Sequence, residues 1–202
     1  MKKILAILLL CVVAFGASAE FRWGPTVGVN ISNTDWSQNL VATDQLVGFQ
    51  GGVMGEIMIP GIGFGLDIAL KYQMQGGKVH FGDQFVWASE GYGTTDLYLH
   101  TIAIPLNIRF KYTRLNGVEN VVAPFVFAGP QFNFHISNSD CDAVKRTAGS
   151  VGIQCGLGAE LWKKYQVSAS YMWNLTDDVH TKVLDNFHAR MKGWYVNFAV
   201  LF

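Results

Sequence analysis

The stretch GWYVNFAVLF, Gly193 to Phe202, ends the sequence on ten almost wholly apolar residues. Successive side chains of a strand point to opposite faces. Trp194, Val196, Phe198, Val200 and Phe202 therefore share one face, and Tyr195, Asn197, Ala199 and Leu201 the other. Just upstream, YQVSASYMWNL alternates more sharply: Tyr165, Val167, Ala169, Tyr171, Trp173 and Leu175 against Gln166, Ser168, Ser170, Met172 and Asn174. Two environments accept such strands, a soluble core and a lipid bilayer. They differ in which face meets the outside.

Composition separates them. Charged residues make up 15% of the chain, whereas a soluble domain carries about 25% to cover its surface. Something other than water must touch much of this molecule. No stretch after Gly16 reaches the roughly 18 to 20 apolar residues of a spanning helix. In hydrocarbon every backbone donor and acceptor must be satisfied internally, and without helices only a closed β-barrel achieves that.

The start of the chain agrees. Lys2 and Lys3 precede an apolar run from Ile4 to Gly16, and Ala17-Ser18-Ala19 supplies small residues at signal-peptidase spacing. This is the pattern of a cleaved secretory signal, too short for a membrane helix. A lipoprotein signal acylated at Cys11 fits poorly, with three leucines before the cysteine and ten residues upstream. The expected division is a signal peptide over 1–19 and a barrel domain over 20–202. Losing Lys2 and Lys3 from the 15 basic side chains leaves 13 against 15 acidic ones, which excludes the strongly basic footprint of a nucleic-acid binder.

The period-2 reading extends along the chain. In GFGLDIALKYQM, Phe64, Leu66, Ile68, Leu70, Tyr72 and Met74 face out, and Asp67, Ala69, Lys71 and Gln73 face in. In LYLHTIAIPLNIRFKY, Ile102, Ile104, Leu106, Ile108, Phe110 and Tyr112 face out, opposite Thr101, Asn107, Arg109 and Lys111. SVGIQCGLGAEL sends Val151, Ile153, Cys155, Leu157 and Leu161 out and Gly152, Gln154, Gly156, Gly158 and Glu160 in. RWGPTVGVNI and LVGFQGGVMGEIMI are weaker, with Arg22 and Glu56 inward. VVAPFVFAGPQFNFHI is apolar on both faces near its start, and its Pro124 and Pro130 are expected at bulges or strand ends, because proline cannot donate to the ladder. The sum is an all-β, eight-stranded, antiparallel up-and-down transmembrane β-barrel. A lipocalin-like soluble barrel would invert the pattern, with the uniformly apolar face inside.

Connectors alternate short and long. The short ones fall at Pro60-Gly61-Ile62, Thr113–Glu119 and Trp162-Lys163-Lys164, the long ones at Ser32–Gln45, Gln75–Thr94, Ser137–Ala148 and Thr176–Arg190. Tight periplasmic turns and longer outer loops are the habit of such barrels, which puts both termini on the periplasmic side. Aromatics gather near strand ends (Trp23, Tyr72, Tyr98, Tyr112, Trp162, Tyr165, Trp173, Trp194), where interfacial girdles lie.

YLHTIAIPLNIRFKY, PFVFAGPQFNF, GLGAELWKKYQVSASYMWNLTDD and the closing strand ending in Phe202 together resemble the PorT-like outer-membrane β-barrel family, over essentially the whole chain after Ala19. The resemblance implies an eight-stranded barrel in the outer membrane of a Gram-negative envelope. Its alternating last strand, with Trp194, Phe198 and Phe202, is similar to the signal read by the barrel-assembly machinery. No secretory role follows from the resemblance.

Eight strands leave an interior that side chains can fill. The inward charges, Arg22, Lys71, Arg109 and Lys111 with Glu56, Asp67 and Glu160, are expected to pair across strands, because a buried unpaired charge is costly. The functional expectation is a non-enzymatic barrel, closed or narrow, whose four loops serve interaction or structure. Its partners are outer-membrane lipids, the assembly machinery and a surface or periplasmic protein; no nucleic acid, cofactor or metal is expected. A small-solute or lipid transporter and a lipid-modifying rim enzyme are the alternatives. The enzyme would draw on Asp177, Asp178, His180, Asp185, His188 and Ser89-Glu90, and the spacing of His180 and His188 fits no standard metal pattern. Cys141 and Cys155 could form a disulfide in an oxidising compartment, but one sits in a loop and the other faces lipid inside a strand.

Overall fold

A computed structural model describes residues 20–36, 42–59, 61–80, 94–112, 117–138, 144–181 and 188–202. Its strands are β1 (Glu20–Trp36), β2 (Ala42–Met58), β3 (Phe64–His80), β4 (Thr94–Lys111), β5 (Val122–Asn138), β6 (Val144–Arg146), β7 (Gly149–Leu161), β8 (Tyr165–Asn174), β9 (Val179–Thr181) and β10 (His188–Val200). Eight of them pair antiparallel in the order β1-β2-β3-β4-β5-β7-β8-β10, and β10 pairs back onto β1 from Thr26↔Ala199 to Trp36↔Ala189. The sheet is closed into an eight-stranded barrel. The short β6 and β9 carry the wall of β7 and β8 further at one end, β9 pairing with β6 and with the start of β10.

The alternation read from the sequence is the burial pattern. Val27, Val29, Phe64, Leu66, Ile68, Leu70, Val196 and Phe198 are exposed, while Thr26, Asn30, Asp67, Asn107, Arg109, Gln131, Glu160 and Asn197 are buried. Apolar side chains outside and polar ones inside exclude the soluble inverted barrel.

The strands run further than the apolar alternation indicated. β1 continues to Trp36, β3 to His80 and β5 to Asn138, and β2 and β4 begin at Ala42 and Thr94. The expected long connectors are shorter by these amounts. Above the apolar belt the outward face turns polar while the inward face takes apolar side chains such as Val79, Leu97 and Leu99, so the outward-apolar alternation reverses while the backbone ladder continues. Outward acids and bases cross-pair there: Asp44, Lys78 and Asp96 share one row, and Lys192 Nζ lies 2.7 Å from Asp35.

Pro130 corrects an expectation. It sits mid-strand in β5 opposite Ile153, facing outward, and not at a bulge or end; Pro124 is the third residue of the strand. The β4–β5 register shift falls between His100 and Thr101. Around Pro105 and Pro130 the paired register steps directly from Pro105↔Gln131 to Ile108↔Ala128, so the ladder loosens locally where a donor is missing.

The two-sided apolarity of β5 has a packing cause. Phe125 and Phe127 point inward and are buried, and they lie across the inward glycines of β7. A Cβ on Gly158 would stand 2.5 Å from Phe125 Cζ, and one on Gly156 2.6 Å from Phe127 Cζ. Glycine here is space for a ring. At the same end, the turn joining β7 to β8 holds Trp162 and Lys163 at φ 50° and 56°, a left-handed conformation uncommon for such residues.

Gly158→Val should therefore lose about 1–3 kcal/mol by overpacking. The urea midpoint at which the compact, fast-migrating form disappears on unheated gels checks this. Phe125→Leu in the same chain should recover part of the loss.

Candidate functional site

The barrel interior gathers the polar chemistry of the described chain, in two zones. Near the Gly61 and Trp162 turns the charges form one layer. Glu56, which is fully buried, receives Arg22 Nη2 on one oxygen and Arg109 Nη1 at 2.6 Å on the other, with Lys111 Nζ at 2.9 Å. Glu160 receives Arg22 Nη2 at 2.6 Å and Lys111 Nζ at 2.8 Å. Asp67 accepts Arg109 Nε at 2.7 Å, and the Arg109 guanidinium lies 4.0 Å over the Phe125 ring. Three carboxylates are thus matched by three cations from β1 and β4, each cation touching two carboxylates.

Gln166 belongs to the same layer. It donates to Glu56 at 2.6 Å and Glu160 at 2.9 Å and accepts from Arg109 at 2.8 Å. Its place on the inward face of β8 was legible; its role as bridge between two carboxylates was not. Lys71, expected among the paired charges, stands apart from the layer: Asp67, four residues away on the same face, is taken by Arg109, and Lys71 Nζ meets Asn197 Oδ1 at 3.4 Å.

Beyond the layer the filling is amide. Gln50 donates to Asn197, Gln73 to Gln50, and Gln131 to both Gln73 and Asn133, at 2.7 to 3.1 Å. Asn133 donates to Asn174 at 3.1 Å, and Asn174 to Asp178 at 2.6 and 2.7 Å. Asp178 also takes Ser150 Oγ at 2.6 Å and the Met191 amide at 2.7 Å, and His135 Nε2 lies 3.1 Å from it. One carboxylate thereby ties β5, β7, β8 and β10 where β7 and β8 hand over to β6 and β9.

Thr101 Oγ1, His135 Nδ1 and Asp178 stand in the order nucleophile, base, acid, with Thr101 3.0 Å from the ring. Thr101 and Asp178 have 0% exposure and His135 5%. Buried to that degree among the described residues, the row offers a substrate carbonyl no exposed nucleophile. Of the other rim candidates, Asp177 pairs with Arg190 at 2.9 Å and lies 3.9 Å from His188, and His180 pairs with His188 in the β9–β10 ladder. Ser89, Glu90, Cys141 and Asp185 lie outside the described residues. Cys155 faces outward, exposed. Among the described residues no three His, Cys, Asp or Glu side chains are placed to hold a metal.

Trp194, Phe198 and Phe202 are exposed on the outer face. Trp194 meets Tyr171 edge-on at 5.0 Å, and Phe202 is fixed by reciprocal backbone bonds with Trp23 at 2.9 and 3.2 Å.

The family model described as "Outer membrane protein beta-barrel domain" matches residues 4–191. No curated protein matches the chain. Among solved structures, the chain is similar to Ail, the attachment invasion locus protein of Yersinia pestis, in complex with the heparin analogue sucrose octasulfate, at 12% identity and TM-score 0.48, covering 91% of this chain and 99% of that one. Neisserial surface protein A is similar at 17% identity and TM-score 0.47, with 91% and 99% covered. The N-terminal β-barrel domain of Pseudomonas aeruginosa OprF is similar at 15% and 0.34, with 86% and 96% covered.

Truncating Glu56 isolates the energetics of the layer. Glu56→Ala leaves Arg22, Arg109 and Lys111 sharing two remaining carboxylates, and breaking a buried pair this way costs about 3–5 kcal/mol. Glu56→Gln keeps the shape and part of the hydrogen bonding, and should cost less. Urea unfolding of both variants in the same detergent measures the difference.

Proposed function

This chain belongs to the outer membrane protein β-barrel domain family, and from that premise we propose a non-enzymatic, closed barrel that acts through its outer loops. It is an integral outer-membrane β-barrel. The observation that carries the reading is the bonded filling of the interior, with the Arg22–Glu56–Glu160 layer at one end and the amide chain up to Asp178 beyond it. Each carboxylate of that filling is bonded to side chains of other strands. A permeating solute would have to break several charge-assisted bonds at once, each about twice as strong as a neutral one.

Within the family we place the chain with the PorT-like members, on the motifs quoted above. Residues 1–19 act as the cleaved export signal and 20–202 as the barrel. Trp194, Phe198 and Phe202 present the assembly machinery with an alternating aromatic edge, and afterwards face outer-membrane lipid. The ion-pair layer of Arg22, Glu56, Asp67, Arg109, Lys111 and Glu160 is structural: it fixes strand register and keeps the interior shut. The turns at Gly61 and Trp162 face the periplasm, and the ends bearing β6 and β9 face outward, where a surface protein partner would dock. Support for this orientation comes from connector length and from the ion pairs that cap the longer ends.

Two measurements test the proposal together. Purified protein in a planar bilayer should give no stepwise conductance; discrete openings in the wild type would replace the closed barrel by a pore. Single cysteines in a background with both Cys141→Ser and Cys155→Ser complete the test. Ser89→Cys should react with a membrane-impermeant maleimide on intact cells and Lys163→Cys should not. The reverse pattern would invert the orientation.

A further inference from the structure

We propose that the cavity between Asp67 and Lys71 is a permanent internal water site, in which roughly two or three water molecules bridge the Asp67 carboxylate to the Lys71 ammonium. The cavity measures about 40 Å³ and is lined by both groups, with Thr26, Asn107, Ser168 and Asn197 among its walls. One water needs about 10–15 Å³ of such space and two to four polar partners.

Two side chains ask for those waters. Asp67 has a side-chain exposure of 6%; its Oδ2 takes Arg109, but its Oδ1 has no hydrogen-bond partner in the protein. A buried carboxylate oxygen without a donor is expensive. Lys71 carries three N–H donors, and its hydrogen bond is the long one to Asn197. Arg22, Arg109 and Lys111 each touch two carboxylates of the interior layer, whereas Lys71 touches Asn197 instead.

Direct pairing is prevented by the backbone. Asp67 and Lys71 share the inward face of β3 four residues apart, about 13 Å along the strand, with Ala69 between them contributing a single methyl. Opposite Ala69 stands Pro105, where the ladder loosens. A chloride ion would satisfy Lys71 but present like charge to the free oxygen of Asp67. Water donates to one and accepts from the other. The bonded cluster of Arg109, Glu56 and Gln166 stands at the Asp67 end of the cavity, and the Asn197–Gln50 bond at the Lys71 end.

The experiment is a high-resolution crystal structure of the wild-type barrel, with a second crystal soaked in bromide. Expected are ordered waters within about 2.7–3.2 Å of Asp67 Oδ1 and of Lys71 Nζ, and no anomalous bromide signal between them. An empty cavity, or bromide at Lys71, would overturn the proposal. Ala69→Leu gives an independent reading of sign in urea unfolding. Filling a water site should lower the midpoint, and filling a dry void should raise it; with waters seen in the wild type, a raised midpoint would still refute their bridging role.

Discussion

The ladder between β1 and β10 leaves no strand edge in the closed wall, and it is the condition for everything inside it. A backbone in hydrocarbon tolerates no unpaired row of donors and acceptors. Closure meets that demand for the wall and at the same time fixes the radius. With eight strands the interior is one layer of side chains across. Inward polar residues are therefore driven to bond to one another, because water cannot reach them in quantity. The charge layer around Glu56 and the amide chain up to Asp178 are two ways of meeting that demand.

The outward and inward faces obey different physics, and this decides what the sequence could show. Outward positions need only be apolar, so Val27, Leu66, Ile108 and Val196 declare themselves by period alone. The inward list, Arg22, Glu56, Asp67, Arg109 and Glu160, followed by subtraction. Partner choice did not follow. Which carboxylate meets which cation depends on stagger between strands as far apart as β1 and β7, and stagger is invisible in a linear pattern. Gln166 was legible as inward and illegible as a bridge for that reason. Asp178, read as one of several loop acids, is buried because the chain bends inward between β8 and β9, at a place where no alternation survives to be read.

Small residues record close approaches. Gly156 and Gly158 follow from the alternation as inward positions and no more; they are the floor under Phe125 and Phe127, and Phe125 in turn carries the Arg109 guanidinium. A local statement about β7 is thus tied to the charge layer through one ring. The strand ends tell a related story. They extend beyond the apolar belt because hydrogen-bonded hairpins do not stop where hydrocarbon stops, and acidic and basic residues can pair across them in water.

Arg22 draws the ends of the chain together. It lies on the first strand, yet its guanidinium reaches Glu56 on the neighbouring β2, Glu160 on β7 and the carbonyl of Lys163, 141 residues along, in the turn whose residues adopt left-handed dihedrals. Two of these three partners belong to the far side of the wall. They come within reach of β1 only after the sheet has curled round on itself. Arg22 is in that sense a latch: its grip on the late-arriving turn is available only in the finished cylinder, so the free energy of those bonds is withheld from every open intermediate and released at the last step of assembly.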